Sequence, residues 1–165
     1  MCSSDLVNRA LVYNKGGIVL HMLRRFVGDQ AFFDGLRRFY ADWRYRKAGT
    51  DDLRIAMEST SGCNLERFFE RWIYNATLPS ATLATRVENG PNGPRLAIRV
   101  EQKQQEVFDF PLTLTLSYSD RPAATVTIPI SDRVTETTVP LAGTLRDAEV
   151  DRNDGLLADI QRVGT

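Results

Sequence analysis

Few side chains in this sequence have a type and spacing suited to chemistry. Tyr13 heads the run Tyr13-Asn14-Lys15-Gly16, one turn ahead of two adjacent glycines, Gly16 and Gly17, on a stretch whose apolar period predicts a helix. A phenol stays protonated at neutral pH, so it offers a hydrogen-bond donor. Each glycine inside a helix costs roughly 1 kcal/mol relative to alanine. A second backbone passing close to that turn would give the pair a reason. By spacing alone, Tyr13 reads as a core or rim tyrosine with a satisfied hydroxyl. His21, the one histidine, lies eight residues after Tyr13 beside the apolar stripe and reads as a packing or surface imidazole. Cys63, next to Asn64, has no histidine to activate it and reads as a small loop residue. Asp51 and Asp52 read as helix-start charge rather than a metal pair. Arg37, Arg38, Arg44, Arg46 and Lys47 interleave with Phe39, Tyr40, Trp43 and Tyr45, which could suit stacking on RNA. The simpler reading puts the aromatics on a buried stripe and the cations on the wet face. Lys15 reads as a solvated or helix-start lysine.

The absences are as informative. No H-E-x-x-H, paired C-x-x-C, G-x-S-x-G, Walker loop or G-x-G-x-x-G occurs. A Ser-His-Asp arrangement would have to use His21, and no nucleophile motif supports one. Lys+Arg and Asp+Glu both number 21 in 165 residues, so there is no electrostatic case for nucleic acid or an anionic membrane. Two cysteines, Cys2 and Cys63, make no disulfide framework. No apolar run approaches the roughly 18 residues of a membrane span. The stretch MCSSDLVNRA has neither the basic start nor the long apolar centre of a signal peptide, so none is expected.

The elements that must position these residues change character near residue 78. Before it, four helices are predicted. The first runs from Val12 to Val27 on Ile18, Val19, Met22, Leu23 and Phe26, with Gly28 as its stop and Asp29 as the cap of the next. The second carries Phe32, Phe33, Leu36, Phe39, Tyr40 and Trp43. A third opens at Thr50, lined by Leu53, Ala56, Met57 and Thr60, and ends at Gly62. The fourth is capped by Asn64 and carries Leu65, Phe68, Phe69, Trp72 and Ile73, and Pro79 closes the half. Short loops imply antiparallel neighbours. After residue 78 the pattern alternates. Strands are predicted at Leu83–Glu88, around Leu96–Val100, at Leu112–Tyr118, Thr125–Ile130, Val134–Leu141 and Leu145–Val150, with a turn at residues 90–93 and DGLLADI as a short tail. Six or seven short strands suggest a β-sandwich. The fold class is therefore α+β: an N-terminal antiparallel α-helical bundle followed by an antiparallel β-sandwich.

The run from Tyr13 to Arg24 resembles the Y-x-K-G segment of the gluzincin zinc aminopeptidases. This is the aminopeptidase N (membrane alanyl aminopeptidase) family, which includes the leukotriene hydrolase branch. A G-D-x-x-F helix, a T-x-D-L helix, S-G, F-F-x-x-W and a closing proline follow in order through residue 79. The resemblance implies that residues 1–79 are the helical C-terminal part of the catalytic peptidase domain and that residues 80–165 are an immunoglobulin-like β-sandwich domain. It also implies a role for Tyr13 as a catalytic residue whose hydroxyl donates to the tetrahedral oxyanion opposite a metal. In that family the H-E-x-x-H zinc site and its further glutamate lie upstream of the tyrosine. The chain is accordingly expected to be a C-terminal fragment of such an enzyme: zinc in the full-length parent, no metal or cofactor bound here, and no activity in isolation.

The expected partner is a peptide substrate of the parent, with no nucleic acid and no membrane span. Self-association is expected through the apolar surface that truncation would expose. The alternative is a non-catalytic protein-interaction module that keeps an aminopeptidase-like frame.

Overall fold

The helical periodicity of the first half becomes four α-helices among the described residues: α1 (Gly16–Val27), α2 (Asp29–Trp43), α3 (Thr50–Ser61) and α4 (Glu66–Phe69), the last continuing as a π-helical turn over Glu70–Tyr74. The structure, a computed structural model, describes residues 14–75, 77–91, 93–150 and 155–163. The second half forms seven strands, β1 (Ser80–Gly90), β2 (Gly93–Gln102), β3 (Phe110–Tyr118), β4 (Ala124–Ile130), β5 (Val134–Pro140), β6 (Leu145–Val150) and β7 (Asp159–Arg162). The fold class is α+β, in two compact units, Met1–Ala76 and Thr77–Thr165.

Local chemistry explains the helix boundaries, with two corrections. Gly28, at φ 88°, donates its N–H to the Arg24 carbonyl and ends α1. That same glycine stands at the start of α2, so Asp29 is not the cap predicted but the first helical residue. Its carboxylate turns back onto Arg24, at 2.9 Å from Nε and 2.6 Å from Nη2, a two-pronged pair that occupies both oxygens. The bond from Arg24 holds the Asp29 carboxyl below its ordinary pKa. At α3 the Gly49 N–H donates to Asp52 Oδ2 at 2.7 Å, and Gly62 closes the helix at φ 70°. Asn64 is not the cap predicted for the fourth helix: Leu65 is, and the Asn64 side chain, one residue earlier, accepts from the Glu66 N–H at 3.0 Å.

The helical core is Met22, Leu23, Met57, Leu65, Phe68 and Trp72, all but fully buried. Each such side chain contributes roughly 1.5–3 kcal/mol by leaving water. Phe68 is its hub, with ring centroids 5.8 Å from Phe26, 6.1 Å from Phe69 and 6.2 Å from Trp72. Thr60 Oγ1 donates to the Ala31 carbonyl at 2.8 Å and joins α3 to α2.

The strands form a four-stranded sheet in the order β5-β2-β1-β7 and a three-stranded sheet in the order β4-β3-β6. The hairpin at residues 90–93 sets the β1–β2 register by placing Gly90 against Gly93, which sits at φ 111° as only glycine does comfortably. That register puts Leu83 opposite Val100 and Val87 opposite Leu96, on one face. The second sheet turns Phe110, Leu112, Leu114 and Leu116 into the core with Ile128, Ile130 and Ala148. The other face of β1 and β2 is a ladder of ion pairs, Arg99 with Glu136 and Glu101, Lys103 with Glu101, and Glu88 with Arg86 and Arg95. The predicted tail is a strand: β7 pairs parallel with β1, Ser80 against Asp159 through Leu83 against Arg162. Its four residues are too few for alternation to show in the sequence.

One buried polar residue organises the sandwich. Gln102 is 1% exposed. Its amide nitrogen donates to the carbonyls of Phe108 (2.8 Å) and Asp132 (3.1 Å). Its amide oxygen accepts from the Phe108 N–H (3.0 Å) and from Gln104 Nε2 (2.6 Å). One side chain thus ties the loop between β2 and β3, through Gln104 and Phe108, to the turn between β4 and β5, through Asp132.

Candidate functional site

Tyr13 lies outside the described residues, and the site is built from Asn14 onward. Asn14 is exposed and Lys15 half-buried, already in helical conformation at φ −63°, ψ −47°, and α1 begins at Gly16. Lys15 Nζ donates to the main-chain carbonyl of Asn75 at 3.3 Å, across 60 residues of sequence. Asn75 is the residue that ends the π-helical turn, with extended backbone at φ −99°, ψ 144°. The ammonium therefore sits at the residue where the π-helical turn terminates. Of the two readings of Lys15, solvated or helix-start, the structure has the second: it stands at the start of α1, half-buried and bonded.

Lys15 also lines a groove of about 380 Å³ with Gly16, Leu20, Phe68, Trp72 and Ile73 among others. It is apolar along its length and basic at its head. Leu20 and Ile73, on its walls, are exposed. Its floor belongs to the Phe68–Trp72 cluster, so packing that holds the helices together also fixes the start of α1.

The glycine pair does not have the role expected of it. Nothing among the described residues lies within 4 Å of a β-carbon built on Gly16 or Gly17. The glycine at which two helices close in is Gly35, where a β-carbon would lie 2.6 Å from Met57 Sδ and 3.3 Å from Met57 Cα. Gly35 is buried on α2 and gives no sequence signal beyond its helical position.

His21 is half-buried on α1, Cys63 is an exposed free thiol, and Asp52 serves the start of α3. The aromatic–basic stretch is corrected in part. Phe39 and Trp43 are half-buried, but Tyr40 is 68% exposed, and Tyr45 is 99% exposed at φ 65°. Helix α2 ends at Trp43, so Tyr45 falls past the stripe that the helical period would have continued. No cluster of three or more His, Cys, Asp or Glu side chains suited to a metal occurs among the described residues. None of their helices is long and apolar enough to cross a membrane. Sequence reasoning missed the Lys15–Asn75 bond, because no local pattern joins positions 60 apart.

Comparison with known proteins bears on the same segment. Residues 4–72 match the model of the peptidase family M1 domain. Aminopeptidase N of Lactococcus lactis subsp. lactis is 35% identical over 76 residues, which are 46% of this chain and 9% of that protein. Tricorn protease-interacting factor F2 of Thermoplasma acidophilum is 36% identical over 67 residues, 41% of this chain and 9% of that protein. The chain thus spans about a tenth of the length of these relatives. Among solved structures, Legionella pneumophila aminopeptidase A in complex with aspartic acid superposes with a TM-score of 0.71 at 16% identity, covering 90% of this chain and 17% of that one, a likeness of fold.

Proposed function

This chain is related to the M1 family of aminopeptidases through residues 4–72, and from that premise we propose that it carries one working part of a zinc-dependent aminopeptidase, the Tyr13 phenol. Residues 1–79 are then the helical end of the catalytic domain, and residues 80–165 an immunoglobulin-like sandwich beyond it. The observation that supports this most is the Y-N-K-G run at residues 13–16 of the sequence, within the matched segment, whose glycine is the first residue of α1.

The family implies zinc. The described residues hold no ligand set for it, and the sequence has one histidine and no H-E-x-x-H. The residues present do not fit the metal, whose ligands would belong to another part of a longer polypeptide. The chemistry assigned to this chain is that of its phenol. When water adds to the carbonyl of the first peptide bond of a substrate, the carbon becomes tetrahedral and its oxygen takes up negative charge. The Tyr13 O–H donates a hydrogen bond to that oxygen and keeps its proton, since the ordinary pKa of a phenol is about 10. A donor of this kind is worth about 10²–10³ in rate. Alone, the chain has the donor without the ligands or the base and is proposed to be inactive on peptides. The exposed Leu20 and Ile73 are the face through which it would self-associate.

The coding sequence on the 5′ side of Met1 tests this reading. An in-frame H-E-x-x-H, with zinc-dependent release of N-terminal residues by the product, is the expected result. A stop codon and ribosome-binding site immediately ahead of Met1 would favour an interaction module instead.

A further inference from the structure

Helix α2 ends at Trp43, and the chain turns back at once. Arg44 has φ −53°, ψ 132°, Tyr45 has φ 65°, and the Arg46 N–H donates to the Trp43 carbonyl at 2.9 Å. This is the geometry of a type II turn, whose third position ordinarily takes glycine or asparagine. Tyr45 is the one non-glycine residue at positive φ among the described residues. A bulky side chain in that conformation strains the backbone. Packing within the chain offsets none of the strain, because Tyr45 is 99% exposed.

The same turn gathers positive charge and leaves it unpaired. The carboxylates that border it are engaged elsewhere. Asp42 faces Arg38 at 3.7 Å, Asp51 faces Arg54 at 3.4 Å, and Asp52 accepts from the Gly49 N–H at 2.7 Å. Arg44, Arg46 and Lys47 are exposed, and no described residue makes an ion pair or a side-chain hydrogen bond with any of them. In a chain of zero formal net charge, three cations thus flank one exposed ring.

We propose that residues 44–47 form a docking site for an acidic peptide segment of another protein, with the Tyr45 ring as its apolar anchor. Arg44 and Arg46 take carboxylates with their planar forks, Lys47 takes one as a point charge, and the ring packs on an apolar side chain set among them. The fixed turn favours this partner over other polyanions. Anionic membranes and nucleic acids bind chiefly through the number of charges and gain little from a set backbone. A single nucleic-acid strand also needs a groove with successive aromatic platforms. Residues 44–49 are instead exposed throughout, with one ring among them. A preorganised turn lowers the ordering cost of one specific contact. The site is independent of the aminopeptidase reading.

Fluorescence anisotropy of a labelled peptide of three Glu-Glu-Phe repeats tests this on the chain as it stands. Binding should weaken at least about 10-fold in Tyr45→Gly and about 3-fold or more in each of Arg44→Gln, Arg46→Gln and Lys47→Gln. It should stay native in Arg146→Gln, which removes an exposed cation of β6. Tyr45→Gly keeps the turn and relieves its strain, so it should unfold at or above the native temperature while losing the peptide. A merely structural tyrosine would move the two readouts together. Native protein that ignores the acidic peptide at millimolar concentration overturns the proposal, as does equal binding by Tyr45→Gly. A Tyr45→Gly variant that unfolds well below the native temperature overturns it too. So does tighter binding to an oligothymidylate strand, or to phosphatidylserine vesicles, than to the peptide.

Discussion

A β-carbon placed on Gly35 would meet Met57 Sδ at 2.6 Å, Thr60 Oγ1 at 3.0 Å and the Met57 α-carbon at 3.3 Å, so α2 and α3 touch at a position where only glycine fits. The Met57 side chain can swing, but its backbone and Thr60, which is bonded to the Ala31 carbonyl at 2.8 Å, are less free. Gly35→Ala should destabilise the helical unit by about 1–3 kcal/mol, the usual range for overpacking. Gly17→Ala, exposed with nothing near it, should be neutral or stabilise by up to about 1 kcal/mol. Thermal unfolding of the two variants checks the contrast. An equal loss in both would mean that Gly17 is also a close approach.

Gln102 supports a second prediction. Gln102→Ala removes the side chain that bonds both the N–H and the carbonyl of buried Phe108. The cost expected for losing a buried hydrogen-bond partner is about 1–3 kcal/mol, reduced by any water that enters. Chemical denaturation followed on the sandwich should show it, with the helical unit unaffected. A loss under about 0.5 kcal/mol would mean the loop between β2 and β3 holds itself.

Asp147 on β6 accepts from the Ala148 N–H at 2.8 Å and from Arg162 of β7 at 3.1 Å, a tie between the two sheets. Both bonds hold its carboxyl below the ordinary aspartate pKa, the backbone bond being the larger cause. A depressed folded-state pKa stabilises above the unfolded value, about 4, and that contribution is lost as pH falls through the lower folded value. Stability of the sandwich should thus decline on acidification below about pH 4. A carboxyl NMR titration should find Asp147 below normal, and Arg162→Gln should raise it only part of the way. A return to the ordinary value in that variant would make Arg162, not the Ala148 amide, the main cause.

Much of this is legible in the sequence, and the failures have physical causes. The 3.6-residue period of Val19, Met22 and Leu23 and the two-residue period of Leu112, Leu114 and Leu116 reveal their elements because the buried apolar side chains of each lie on one face. Asn64 and Gly62 act through bonds to near neighbours, so they can be read locally to within a residue, the cap itself falling at Leu65. Asp29 cannot be, since Gly28 at positive φ has already turned the chain. The strand β7 has meaning only as the parallel partner of β1, with Ser80 set against Asp159. Gly35 looks like any helical glycine until Met57 is brought against it, whereas the glycine pair at 16 and 17 looks special and meets nothing among the described residues. At the candidate site, a motif suggests Tyr13, while the Lys15 tether to Asn75 exists only once the helices have packed.

The central claim concerns the phenol of Tyr13, and one kinetic comparison tests it most directly. The helical segment of this chain replaces its 35%-identical match in the Lactococcus aminopeptidase N, and chimaeras with tyrosine or phenylalanine at position 13 are compared for zinc content, unfolding temperature and turnover of an aminoacyl anilide. With metal content and folding equal, Tyr13→Phe should lower kcat by about 10²–10³ while KM moves little. A phenylalanine chimaera whose kcat stays within about 3-fold of the tyrosine form would contradict the account.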